Sequence, residues 1–255
     1  MIREKLMAKD IGRRADFRWR SHEISRIEGL SDAVFAFAVT LLVVSLEVPK
    51  TFTELALTMR GFGAFAISFA LLLFVWFNQY KYFRRYGLQD NMTVLLNAVL
   101  LFLILFYVYP LKFLFSYLVS AFTGGHGEVR LPNGNVEAMV EPGDLPKLMI
   151  IFGIGYVAIF AVFILLYWHA LRKRAALELN ELELFDTRNS IQESALNCSV
   201  GLLSIAVAVF GGERYSALAG PVYMLLAVVM TVNGSVMGKR RRRLEQRFAA
   251  EVEAA

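Results

Sequence analysis

Apolar residues in this chain neither alternate nor keep to one narrow helical face. They come in runs of about twenty, separated by short polar stretches. Six such runs stand out, at 27–48, 61–83, 91–119, 148–169, 191–210 and 217–236. A helix needs about 20 apolar residues to cross a hydrocarbon core about 30 Å thick. Within lipid the backbone must bond inside the segment unless strands close a barrel, and the alternating segments of a barrel are absent. The expected fold class is therefore all-α, a polytopic membrane protein with six transmembrane helices. The fifth run is the weakest, because it begins among Asn189, Gln192, Glu193 and Asn197.

The polar stretches set the orientation. Of the 27 lysines and arginines, 21 fall in the arm at 1–26, in the loops after the second and fourth runs, and in the tail at 237–255. Five, Lys50, Arg60, Arg130, Lys147 and Arg214, fall on the other side, and Lys112 lies inside a run. Basic loops stay in the cytoplasm, so both termini are expected there. The chain thus divides into a basic arm (1–26), a membrane domain (27–236) and a basic tail (237–255). The loop from Ser120 to Lys147, rich in Gly and Pro, is expected outside. The Leu- and Glu-rich segment from Leu171 to Arg188 is expected to prolong the fourth helix into the cytoplasm. The Lys239–Arg243 run suits anionic headgroups better than nucleic acid, given its place beside a span.

Composition narrows the chemistry. At 57% hydrophobic and 19% charged, the chain is more apolar than an ordinary soluble domain. A single cysteine, Cys198, excludes an internal disulfide and reads as a packing residue. His22, His126 and His169 are far apart and have no metal-ligand spacing. The polar arm leads into the first span without a small-residue cleavage pattern, so a removable signal peptide is not expected. No convergent titratable groups mark an enzyme, and no cofactor is implied. Gly61, Gly63, Gly153, Gly155 and Gly201 are expected to let helices approach closely. Gly153-Ile-Gly155 opens no βα unit, which argues against a nucleotide site.

The first span carries the most information. Asp32 lies just inside the apolar run, where a carboxylate is costly and must face protein, water or the interface. At about 100° per residue, with Asp32 at zero, Phe37, Leu41, Val44 and Val48 fall between about 120° and 180°. They form a narrow, wholly apolar stripe, with Thr40 between it and Asp32. On composition alone, helix packing or lipid contact is a better reading of that stripe than a pore lining. Glu47, near the outer end, has a plain surface role as its simplest reading.

The segment from Arg26 to Val43, R-I-E-G-L-S-D-A-V-F-A-F-A-V-T-L-L-V, resembles the R-x-x-x-F-S-D signature of the transmembrane protein 175 family, whose members are lysosomal and prokaryotic potassium-permeable channels. Val48-Pro49, Trp76, Leu96-Asn97 and Pro110 extend the match. The resemblance implies a homotetramer in which the first helix of each subunit lines a central pore. In register from the Ser-Asp pair, its apolar constriction falls on Phe37, Leu41 and Val44, with Thr40 beside it. It implies further that Arg26, Ser31 and Asp32 tie that helix to its neighbours, in a network with Trp76, Gln79 and Asn97. Three positions depart from the pattern: Leu30 replaces Phe, Phe37 replaces the commoner Ile, and Gln79 replaces a His. Four phenyl rings around an axis would narrow a pore, and Gln79 hydrogen-bonds without titrating near neutral pH.

The implied function is a potassium-permeable cation channel, passing sodium less readily, in which a dewetting constriction does the work of a filter. Potassium would be a permeant ion rather than a bound cofactor. No T-V-G-Y-G sequence occurs, and Thr123–Gly127 (T-G-G-H-G) is a polar loop rather than a filter. The alternative is a secondary transporter, or a non-conducting membrane protein of the same fold. A transporter would call for midplane polar groups and repeats, and outside the first span the polar groups are chiefly Asn97 and Lys112.

Overall fold

The computed structural model describes residues 17–21, 23–44, 51–52, 55–56, 59, 62–122, 128–130, 135–141, 143–211 and 218–253. Among them six long helices follow one another: α1 (Arg26–Val44), α2 (Phe62–Tyr86), α3 (Asn91–Phe122), α4 (Leu145–Arg172), α5 (Glu181–Phe210) and α6 (Leu225–Glu253). A short helical turn, Ala219–Val222, leads into α6. Strands β1 (Glu128–Arg130) and β2 (Val136–Ala138) pair antiparallel with Val129 opposite Glu137, the one addition among the described residues to an otherwise all-α architecture. Five of the segments, α2 to α5 and the stretch Ala219–Arg247, are long and apolar enough to cross a membrane. The described part of α1 stops at Val44, so Glu47 and the outer end of its expected span, Val48, lie outside the described residues, as do Gly61 and Thr123–Gly127.

The packing is sequential. α1 lies on α2 and α3, α3 on α4, α4 most extensively on α5, and α6 chiefly on α5. Glycine makes the close crossings possible. A Cβ on Gly155 would come within 2.3 Å of the Tyr107 ring, and one on Gly153 within 2.5 Å of Ile205. A Cβ on Gly201 would meet Val157 at 2.7 Å, so the α4–α5 contact is tight from both sides. Pro110 is accommodated inside α3, losing one backbone donor without ending the helix.

One expectation is corrected. The segment after α4 does not prolong it: α4 ends at Arg172, the chain turns through Glu178 with a φ of 48°, and α5 starts at Glu181. The cause is a capping box, in which the Glu183 N–H donates to the Asn180 side chain at 2.8 Å and the Asn180 N–H donates to Glu183 at 3.1 Å. α5 consequently begins ten residues before the apolar run at 191. The tail, too, is helical, with α6 running unbroken from the membrane segment to Glu253.

The described part of the basic arm is held against this same region. The Arg20 N–H donates to the Arg84 carbonyl at 3.1 Å, satisfying an end carbonyl of α2, which stops at Gly87 with a left-handed φ of 59°. Arg18 and Arg20 both pair with Glu183, at 3.2 and 2.8 Å, and that carboxylate is 1% exposed. Phe17 is buried edge-on against Tyr86, with the Arg85 guanidinium 4.7 Å from its ring centroid.

Candidate pore helix and its polar anchors

α1 has two unlike faces. Ser31, Phe35, Ala38 and Leu42 recur every three or four residues and are buried, forming the stripe that packs on α2 and α3. The opposite side carries Ala33, Ala36, Phe37 and Thr40, all exposed, with no helix among the described residues packed over them. Phe37 is 56% exposed, and Leu30 and Val43 on the same helix are exposed as well. Leu41 is half-buried at the edge of the packed face. The Thr40 hydroxyl donates to the Ala36 carbonyl at 2.9 Å, folding back on its own helix. Val44 is in the helix, but its side chain lies outside the described residues.

Polar contacts fix the rotation of α1. The Ser31 hydroxyl donates to the Ile27 carbonyl at 2.8 Å and accepts from the Asn97 amide at 2.9 Å. Asn97 in turn accepts from the Gln79 amide at 2.9 Å, so one buried chain of bonds joins α1, α3 and α2. At Gln79 an amide does what a neutral imidazole would do, and stays satisfied without a proton equilibrium. The Trp76 indole N–H donates to Asp32 at 2.8 Å, a second tie between α2 and α1. The structure thus brings Ser31, Asp32, Trp76, Gln79 and Asn97 together around α1. Arg26 stands exposed at its start and, among the described residues, makes no ion pair.

Three further anchors were not foreseen. The Lys112 ammonium donates to the Leu42 carbonyl at 2.8 Å, pinning α3 to the outer part of α1. The lone ammonium inside a span was a visible signal, but its partner is a backbone carbonyl and carries no sequence mark. Asp90 caps α3 by accepting from the Thr93 N–H at 2.9 Å, and meets His169 at 2.7 Å and Lys173 at the end of α4. Burial would raise the Asp90 carboxyl, but the bonds from Lys173, Thr93 and His169 outweigh it and hold it well below its ordinary value. Glu183, the partner of Arg18 and Arg20, has no sequence mark that sets it apart from the other glutamates of its Leu- and Glu-rich segment. Among the described residues no cluster of His, Cys, Asp and Glu could hold a metal ion.

The profile of the family described as the endosomal/lysosomal potassium channel TMEM175 matches residues 26–107, the stretch that contains α1, α2 and half of α3. Over 245 residues the chain is 41% identical to a potassium channel of Marivirga tractuosa, covering 95% of this chain and 99% of that one. It is 31% identical over 138 residues to a potassium channel of Chamaesiphon minutus, covering 51% of this chain and 63% of that protein. The crystal structure of a variant of the potassium channel MtTMEM175 superposes with a TM-score of 0.75 at 42% identity, over 88% of this chain and 97% of that one. A TMEM175 homologue from Chamaesiphon minutus shares the fold at a TM-score of 0.54 and 23% identity, over 83% and 98% of the two chains. With near-complete coverage at this identity, the chain belongs to the TMEM175 family of potassium channels.

Proposed function

We propose that the chain assembles as a homotetramer in which the bare face of α1 from each copy surrounds a central pathway for potassium. Phe37, Leu41 and Val44 then form the constriction, and Thr40 sits beside it. The observation that carries this reading is the exposure of Phe37 on a helix whose other face is fully buried. A bare apolar face on a membrane helix meets lipid, another copy or a pore axis, and membership of a potassium-channel family supports the last two. The anchors on the far side, Ser31–Asn97–Gln79, Asp32–Trp76 and Lys112–Leu42, hold the helix rigid, which a ring of side chains needs if its width is to decide whether water and ions pass. The basic end of the bundle faces the cytoplasm, and potassium passes in preference to sodium because its hydration shell is the looser one to disturb.

Ion flux from liposomes under a potassium and then a sodium gradient tests this. Leu41→Ser wets the constriction and should raise potassium flux and bring the two gradients closer together. Flux from Leu41→Ser and Phe37→Ile both equal to the parent in rate and preference would overturn the assignment.

A further inference from the structure

A second cleft lies away from α1. α6 packs chiefly on α5 and stands off from α2 and α4, leaving a half-enclosed space of about 370 Å³ between them. That volume is within the range of small-molecule sites. Its walls are apolar, from Leu71 and Val75 on α2 to Ile104 on α3 and Leu226 on α6. Its polar groups are already satisfied: the Tyr156 hydroxyl donates to Asn197, whose amide donates to the Glu193 carbonyl at 2.8 Å, and the Tyr107 hydroxyl donates to the Phe152 carbonyl. A cavity so lined does not attract water.

Toward the basic end the cleft adjoins a second space of about 290 Å³, with Phe74, Phe160, Asn197 and Met230 lining both. There the chemistry changes. Lys81, Glu193, Ser190, Ser194 and Asn78 line it, and the Arg85 guanidinium reaches Ser190 at 3.4 Å on its rim. Among the described residues Lys81 makes no ion pair or hydrogen bond, and its ammonium lies 5.9 Å from the centre of the Phe77 ring. From Lys81 back to Leu71 the helix rises about 15 Å, half of a hydrocarbon core about 30 Å thick. One polar end, with Lys81 and Glu193 in its lining and Arg85 on its rim, one apolar end and the depth of a single leaflet describe an amphiphile.

We infer that the cleft between α2, α4, α5 and α6 binds a membrane phospholipid, with its phosphodiester on Lys81 and one acyl chain running past Phe74 to Leu71. Arg85 adds positive charge at the rim, and Glu193 favours a headgroup that also carries an ammonium. The site is separate from α1, whose buried and bare faces contribute nothing to the lining. Its occupant fills the space that keeps α6 off α2, so lipid here sets the seating of the last helix.

Native mass spectrometry of the purified, delipidated protein tests the site with three added probes: phosphatidylethanolamine, phosphatidylglycerol and a diacylglycerol of the same chains. Both phospholipids should bind about tenfold more tightly than the diacylglycerol, the loss expected for one charge-assisted bond. Lys81→Gln should erase that difference by weakening the phospholipids alone. Ala227→Trp, which fills the apolar part from the loosely packed α6, should weaken all three. Tighter binding of phosphatidylethanolamine than phosphatidylglycerol assigns Glu193 to the headgroup ammonium, and the reverse order assigns the rim charge of Arg85. The inference is overturned if diacylglycerol matches the phospholipids in the parent protein, or if adducts persist unchanged in Ala227→Trp. A melting temperature measured without lipid separates lost binding from lost folding in each variant.

Discussion

Asp90 does three jobs with one carboxylate: it caps α3, meets His169, and pairs with Lys173 across the turn between helices. Because its native pKa is held below the ordinary value of 3.8, its stabilisation is complete at neutral pH. It is lost progressively as the pH falls below about 5 and down through the depressed native value. Thermal unfolding in detergent should therefore show Asp90→Asn well below the parent in melting temperature at pH 7, with the gap narrowing toward pH 3. A gap independent of pH would assign the stabilisation to shape rather than charge. The residues that hold α1 are of another kind. Gln79, Asn97 and Ser31 form a neutral chain of bonds inside the bundle, where measured bonds contribute about 0.6 kcal/mol on average. Their value is direction: they set which way Phe37 points.

At the scale of elements, the bundle depends on how closely helices cross. Tyr107 seats its ring where Gly155 has no side chain, and its hydroxyl reaches the Phe152 carbonyl on the same helix. Gly155→Ala forces either the ring or α4 to move, and overpacking of this kind costs about 1–3 kcal/mol. Tyr107→Leu in the same background removes the clash, so unfolding of the double variant should be less impaired than that of Gly155→Ala. Equal impairment would place the strain elsewhere. The turn between α4 and α5 is an element decision of the opposite sort. The residues from Leu171 to Leu179 are good helix formers throughout, and propensity alone extends α4. Asn180 and Glu183 override it, because two orphan donors at a helix start are satisfied at once.

At the scale of the molecule, Glu183 joins parts distant in sequence. It caps α5 and receives Arg18 and Arg20 from the arm that leads into α1, while Arg20 also binds the end of α2. Removing one partner of a buried charge pair is costly because the others are left unmatched. Glu183→Gln should release the arm, and limited trypsin digestion should then cleave after Arg18 and Arg20 faster than in the parent. Unchanged protection at both arginines would mean that Phe17 and the backbone bond to Arg84 suffice. If the arm governs the position of α1, the same variant will change potassium flux.

Much of this architecture was legible in the chain. Runs of about twenty apolar residues leave a lipid-embedded backbone one economical solution, so the helices and their approximate bounds follow from composition and length. The spacing along α1 was legible too, since a period of 3.6 separates Phe37, Leu41 and Val44 from Ser31 and Leu42 whatever the neighbours are. Which side of α1 is buried was not, because apolar side chains serve equally well against lipid, a partner helix or a pore axis. Only tertiary packing decided that Ser31, Phe35, Ala38 and Leu42 turn inward and that Phe37 is left bare. The same holds for Lys112 on a backbone carbonyl, for Glu183 between two arginines more than 160 residues away, and for the cleft beside α6. Local periodicity is written in the chain because it depends on spacing alone, whereas a partner is written only in the place where two distant segments meet.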